Sequence, residues 1–306
     1  MDYKTLQNFL NNIKKAKVFI IGESVLKRPI YAVKFDFCSK NTVIIQASIH
    51  AREHITTNLV CKLIEDVEND YARLKALNVP NLLFVPMVNP DGVELCYYGL
   101  KSVPSKHISF LSEINNGTDF SLFKANVNGV DLNTNFDAKW GTGKENKTKP
   151  SSSGFVGSFP TSEPEVKALC LLTKQEKPIF TISYHSKGEE IYYQFFNKKE
   201  NLKRDYKIAK IIARSLKYKI VNVENSSAGG YKDWCIQKFN IPSVTIEVGE
   251  DTLSHPIEER AFAQIYKRNK NIIRILGKIQ KEFENDKARK IYERSNKTGK
   301  KRSFVR

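Results

Sequence analysis

The chain reads as an α/β protein with a mostly parallel or mixed sheet covered by helices on both faces. Three observations predict this. Short apolar runs rich in Val, Ile, Phe and Tyr recur along the chain, bounded by turn residues. Amphipathic stretches lie between several of them. Hydrophobic residues make up 41% and aromatics 11% of 306 residues, which is enough for a sizeable core. Length alone is compatible with one large domain or two small ones.

Taken in order, residues 2–14 read as a short amphipathic helix. Strands are expected at Lys17–Ile21, Ile30–Phe37, Thr42–Ile49, Asn81–Val88, Ile179–Tyr184, Ile191–Phe195, Lys219–Val223 and Ser243–Val248. Helices are expected at Ile55–Ala76, where Leu59, Leu63, Ile64 and Val67 form one stripe, and at Glu163–Lys177, Leu202–Lys217 and Pro256–Phe283. The segment 99–162 is rich in Gly, Ser, Asn and Lys and shows no clear strand or long helix; segments of this kind in enzymes are usually functional loops. Residues 1–286 form the expected domain, and 287–306 read as a basic, polar, frayed tail.

Composition removes several classes. Lys and Arg number 50 against 33 Asp and Glu, a formal charge of +17. Such a charge favours anionic partners, but no RNA-binding aromatic signature or zinc-finger spacing accompanies it, so no nucleic acid is expected. Five widely spaced cysteines with no CxxC argue against a disulfide framework or a thiolate metal site and fit a reducing compartment. The first residues lack the apolar core and cleavage site of a signal peptide, and no apolar run reaches the ~20 residues of a membrane span, so a cytoplasmic location is expected.

The chemistry concentrates at strand ends, where open α/β sheets place their sites. His50 and Glu53, in His50-Ala51-Arg52-Glu53-His54, stand three apart on a turn after a buried strand and can reach one ion. That pair alone is a weak signal. His185 ends a second apolar strand, and two histidines with one carboxylate form a known catalytic zinc shell with an open position. Glu247 sits inside the apolar strand Ser243–Val248, where a carboxylate is costly unless paired or functional. Beside a metal it becomes a general base that takes a proton from water.

With these pieces assembled, the chain resembles the zinc carboxypeptidase family. The resemblance runs over roughly residues 15–275 and is carried by HAREH (50–54), NPDG (89–92), GVDLNTNFDA (129–138), SEPE (162–165), YHSKGEEIYY (184–193), AGGYKDW (228–234) and TIEVG (245–249). It implies one α/β domain with a mixed sheet of roughly eight strands between helices. It implies one zinc ion on His50, Glu53 and His185, with Glu247 as general base. By the same resemblance, Asp131 orients the first histidine ligand, Arg52 and Asn133 bind substrate, and Lys124 stands against the developing oxyanion.

The departures from the family pattern are equally informative. The family's carboxypeptidases carry Asn-Arg-Asn, whose arginine clamps a terminal carboxylate; here the segment is Asn133-Thr134-Asn135. The tyrosine used near the scissile bond would fall near Asn225 and is absent. Lys232 takes the position at the base of the specificity pocket and would favour an acidic group after the cut. These features are similar to the bacterial γ-D-glutamyl–diaminopimelate peptidases, which implies an acidic muropeptide substrate. The rival expectations are an ordinary metallocarboxypeptidase, a zinc-dependent deacylase of acylated amino acids, and a binding module that has lost activity.

Overall fold

The computed structural model describes residues 1–77, 79–221 and 227–283. Its elements follow one another as α1 (Tyr3–Leu10), β1 (Lys17–Glu23), β2 (Pro29–Phe35), β3 (Thr42–Gln46), α2 (Ile55–Asn69), α3 (Tyr71–Ala76), β4 (Asn81–Val85), α4 (Pro90–Tyr98), α5 (Ile108–Asn115), α6 (Pro164–Glu176), β5 (Phe180–Ser186), β6 (Glu190–Tyr192), α7 (Lys199–Leu216), β7 (Lys219–Ile220), α8 (Tyr231–Phe239), β8 (Ser243–Val248) and α9 (Phe262–Asn269). A further helical stretch covers 272–283. The strands form one mixed sheet of eight, ordered β1-β2-β4-β3-β5-β8-β6-β7. β4, β3, β5 and β8 run parallel at its centre, while β1, β2 and β6 supply the antiparallel pairings.

The two sheet faces bury different side chains because strand residues alternate. Val43, Ile45, Phe84, Ile182, Tyr184, Val244 and Ile246 face a core shared with α2, α7 and α9. On the other face Ile44, Leu83 and Val85 meet Val166, Leu169, Tyr231 and Trp234 of α6 and α8. His185 and Glu247 are cross-strand partners in the β5–β8 register, so both emerge on one face, at the carboxyl end of the parallel strands.

Several elements end earlier than the sequence suggests, for local reasons. β3 stops at Gln46 because Ser48 takes a left-handed backbone (φ 47°) that turns the chain and presents His50. β4 stops at Val85, before Pro86, which has no N–H to continue the ladder. The expected helix Ile55–Ala76 is two helices broken at Asp70, whose φ of −100° and ψ of 16° leave the helical range. The strand expected to reach Phe195 ends at Tyr192: the Phe195 N–H donates to Asn197 Oδ1 (2.7 Å) rather than to a neighbouring strand. The expected helix Pro256–Phe283 begins only at Phe262, after extended Glu258, and is interrupted at 270–271. Three helices went unforeseen as elements, α4, α5 and α8; α4 is announced by Asn89, which caps it, and Pro90 in its first turn. The proposed tail 287–306, Val223 and Asn225 lie outside the described residues.

Candidate active site

The site is built on two strand ends and a tethered turn. His50 is extended (φ −93°, ψ 129°) and precedes a 3₁₀ turn, Ala51–Glu53, which brings the Glu53 carboxylate back beside the His50 ring. That turn is pinned from outside: the Ala51 and Arg52 N–H groups donate to the carbonyls of Lys124 (3.2 Å) and Phe123 (3.0 Å). Asn89 ties the same two segments together, donating to Ile49 O (3.4 Å) and Ala125 O (3.0 Å) while its own oxygen caps α4. Gly92 makes this approach possible, since a Cβ there would meet the Ala125 carbonyl at 2.7 Å and the Ala51 side chain at 2.8 Å.

His50, Glu53 and His185, all buried, place one ligand atom each within 4.8 Å of the others. His50 Nδ1 lies 2.8 Å from Glu53 Oε1; His185 Nδ1 lies 3.0 Å from Glu53 Oε2 and 3.0 Å from His50 Nδ1. Two ring nitrogens facing one another at that distance can share at most one proton, and a cation between them and the carboxylate satisfies all three. His50 Nε2 lies 3.2 Å from Asp131 Oδ1, which fixes the proton on that nitrogen and turns the Nδ1 lone pair toward Glu53. The donor set of two imidazoles and a carboxylate fits zinc.

Electrostatics separate the carboxylates. Burial alone would raise the Asp131 carboxyl, but Lys124 (3.3 Å), His50 and the Gly154 N–H (3.1 Å) hold it far below the usual carboxylate range. Burial likewise opposes ionisation of Glu53, and the two histidines overcome it and pull its pKa well down. Glu247 goes the other way. Burial, together with the nearby charges of Glu53 and Glu190, pushes it up to about 7 against the opposing pull of His185 and Lys124. It is therefore the one acid of the centre poised to exchange a proton near neutrality.

A cavity of about 580 Å³ opens over this centre and is lined by every residue singled out from the sequence except Glu53: His50, Arg52, Lys124, Asp131, Asn133, Lys232 and, with His185, Glu247. Arg52 brings a buried Nε with no partner among the described residues. Asn133 accepts from the Tyr231 N–H (3.1 Å), so its carbonyl is spent on α8. Thr134 also lines the cavity, but its single hydroxyl proton is taken up by Asp131 O (2.8 Å), with Phe155 O (3.2 Å) the alternative acceptor. Lys232 is buried in the first turn of α8, donating to Gln194 O (2.8 Å) and to Asp233.

Sequence reasoning missed the supporting residues. Asp233, Gln194, Tyr192, Thr245, Lys144 and Lys147 also line the cavity. NPDG and SEPE were visible as motifs without a task, and the structure supplies one. Beside the Asn89 tether, Glu163 and Glu165 accept from Asn126 (2.8 and 3.3 Å), holding the segment that carries Lys124 and Asp131.

Comparison with known proteins agrees with this geometry. Residues 3–271 match the zinc carboxypeptidase family, Peptidase_M14. The chain is 34% identical to γ-D-glutamyl-L-diamino acid endopeptidase 1 of Lysinibacillus sphaericus, over 87% of this chain and 69% of that protein. It is 32% identical to the uncharacterized protein YqgT of Bacillus subtilis strain 168, over 83% of this chain and 69% of that one. Among solved structures, bovine thrombin-activatable fibrinolysis inhibitor in complex with tick carboxypeptidase inhibitor shares the fold at a TM-score of 0.72 and 21% identity, covering 92% of this chain and 96% of that one. The convergent histidines and carboxylates thus stand in a shared fold and a matching sequence: the chain is a zinc metallopeptidase belonging to the zinc carboxypeptidase family.

Proposed function

We propose that the protein hydrolyses the amide bond between a γ-linked D-glutamyl residue and a diaminopimelate residue in peptidoglycan stem peptides. In this reading His50, Glu53 and His185 hold the zinc ion. Zinc bound there supplies Lewis acidity, which polarises a carbonyl and makes water more acidic. Glu247 takes the proton of the attacking water at its carboxylate and delivers it to the leaving amine. Lys124, half-buried beside the centre, faces the oxyanion as it forms, and Asp131 keeps both Lys124 and His50 in place. Arg52 and Asn133 position the substrate, with the Arg52 guanidinium directed at a substrate carboxylate.

The observation that carries the substrate assignment is the charge arrangement of the cavity wall. Position 134 offers no cation for a terminal carboxylate, because threonine stands there with its hydroxyl already engaged. A lysine is instead buried in the wall, at Lys232, which is 9% exposed and the one lysine among the described residues that is buried. Beyond Gln194 O and Asp233 its ammonium keeps one donor, which an acidic group on the residue after the cut would take. The name of the Lysinibacillus relative supports the same bond type.

The test compares products. The zinc-loaded protein is incubated with L-Ala-γ-D-Glu-meso-diaminopimelate and with a hippuryl-type carboxypeptidase substrate. Release of free diaminopimelate from the first, with little cleavage of the second, is expected; the reverse preference would make the protein an ordinary carboxypeptidase.

A further inference from the structure

Lys232 does not enter the cavity alone. Asp233 follows it in the first turn of α8, is also buried, and lines the same wall. The turn is fixed by close packing: Gly229, at φ +82°, lies so near the 132–134 turn that a Cβ would meet Thr134 O at 2.3 Å. The Gly230 N–H donates to Asp233 Oδ2 (3.1 Å), and the Tyr231 N–H donates to Asn133 Oδ1. Both charged side chains are therefore held against the backbone that borders the zinc centre.

Their hydrogen-bonding capacity is only partly used. An ammonium has three N–H donors, and Lys232 spends two, on Gln194 O and on Asp233 Oδ1, with the Phe195 ring 5.5 Å from its nitrogen. A carboxylate has about four acceptor positions, and the Gly230 N–H and the Lys232 ammonium take two of those of Asp233. Among the described residues, one donor and two acceptor positions are left over. A buried ion pair is a poor source of stability, because desolvation offsets its attraction. In a cavity wall it does something else: it presents a positive and a negative group side by side.

We propose that Lys232 and Asp233 act together as a receptor for a zwitterionic side-chain terminus, with Asp233 the specificity-determining residue that reads the ammonium. This rests on the peptidoglycan reading above and deepens it. The far end of a diaminopimelate side chain carries an amine and a carboxylate on one carbon. The carboxylate meets the free Lys232 donor and the amine meets the free Asp233 acceptors, so the assembled site is neutral. A lysine side chain at that position presents only the amine, and a 2-aminopimelate side chain only the carboxylate; each leaves one member of the pair facing an unmatched or absent charge.

The experiment uses four peptides, L-Ala-γ-D-Glu-X, with X meso-diaminopimelate, lysine, 2-aminopimelate or norleucine. Wild type and Asp233→Asn are each assayed for kcat/KM, and each is titrated with free meso-diaminopimelate and free 2-aminopimelate. Wild type is expected to prefer diaminopimelate over 2-aminopimelate by at least about tenfold, the worth of one charge-assisted hydrogen bond. In Asp233→Asn that ratio collapses toward one. The ratio is taken within each variant, so a smaller folded fraction does not alter it. A uniform loss on all four peptides would make Asp233 merely a cap of α8 and overturn the proposal. If no peptide is cleaved but wild type still binds diaminopimelate in preference to 2-aminopimelate, the receptor stands and the proposed reaction falls. If binding shows no preference either, the receptor falls with it.

Discussion

At the scale of single residues, the centre contains two buried carboxylates and one half-buried one, of opposite tendency. Glu53 and Asp131 are held ionised by histidines and a lysine, whereas Glu247 is raised to about 7 by burial and by its acidic neighbours. A carboxylate raised in this way is protonated, and useless as a base, below its pKa. kcat/KM is therefore expected to fall on the acid side with a limb at or below about pH 7, since a nearby divalent cation moves the limb lower. A rate that stays flat from pH 4 to pH 8 would remove Glu247 as the base. Asp131→Asn tests the support of His50: zinc affinity is expected to drop roughly 10- to 100-fold, read by competition with a chelator, with a smaller change in fold stability.

Elements set where those residues stand. The left-handed approach of Gly229 to Thr134 holds the start of α8 over the site. Gly229→Ala is expected to cost more in denaturant unfolding than the about 1–2 kcal/mol of a left-handed non-glycine residue, because its Cβ also meets the Thr134 backbone, and to raise KM more than it lowers kcat, because the substrate wall moves while the zinc ligands do not. Beneath the segment carrying Lys124 and Asp131, Glu165 is fully buried and accepts from the Val25 N–H (3.2 Å) and Asn126. Burial, helped by Asp91 and Glu163, pushes it up to about 8. The folded protein therefore binds a proton there that the unfolded chain has released, so stability falls as pH rises from about 4.5 through 8. Thermal melts from pH 5 to pH 9 are expected to show this decline, and Glu165→Gln to flatten it; an unchanged slope in the variant would place the decline elsewhere.

Across the whole molecule, the legible part of the sequence was the part with period and punctuation. All eight strands were visible as apolar runs, and the parallel centre follows from their alternation with helices. His50, Arg52, Lys124, Asp131, Asn133, His185, Lys232 and Glu247 stand in recognisable motifs of the sequence, and one cavity collects them. What stayed hidden was set by tertiary contact. Neither the tether from Asn89 to Ala125 nor the pairing of Lys232 with its neighbour inside the wall has a sequence period. α4 and α8 are nine residues each, too short for a clear stripe, and lie within polar motifs. Among the described residues no helix is long and apolar enough to cross a membrane.

Metal binding and chemistry are separable functions of this centre, because the zinc ligands and the general base are different residues. Chelation is expected to abolish activity and to lower the melting temperature by several degrees, both restored by zinc, because a ligand bound only by the folded state stabilises it. The most direct measurement is turnover of L-Ala-γ-D-Glu-meso-diaminopimelate by wild type and Glu247→Gln at equal, verified zinc content. A fall of roughly 100- to 10,000-fold is expected, with one zinc per chain retained. Comparable rates in the two proteins would mean that Glu247 is not the general base.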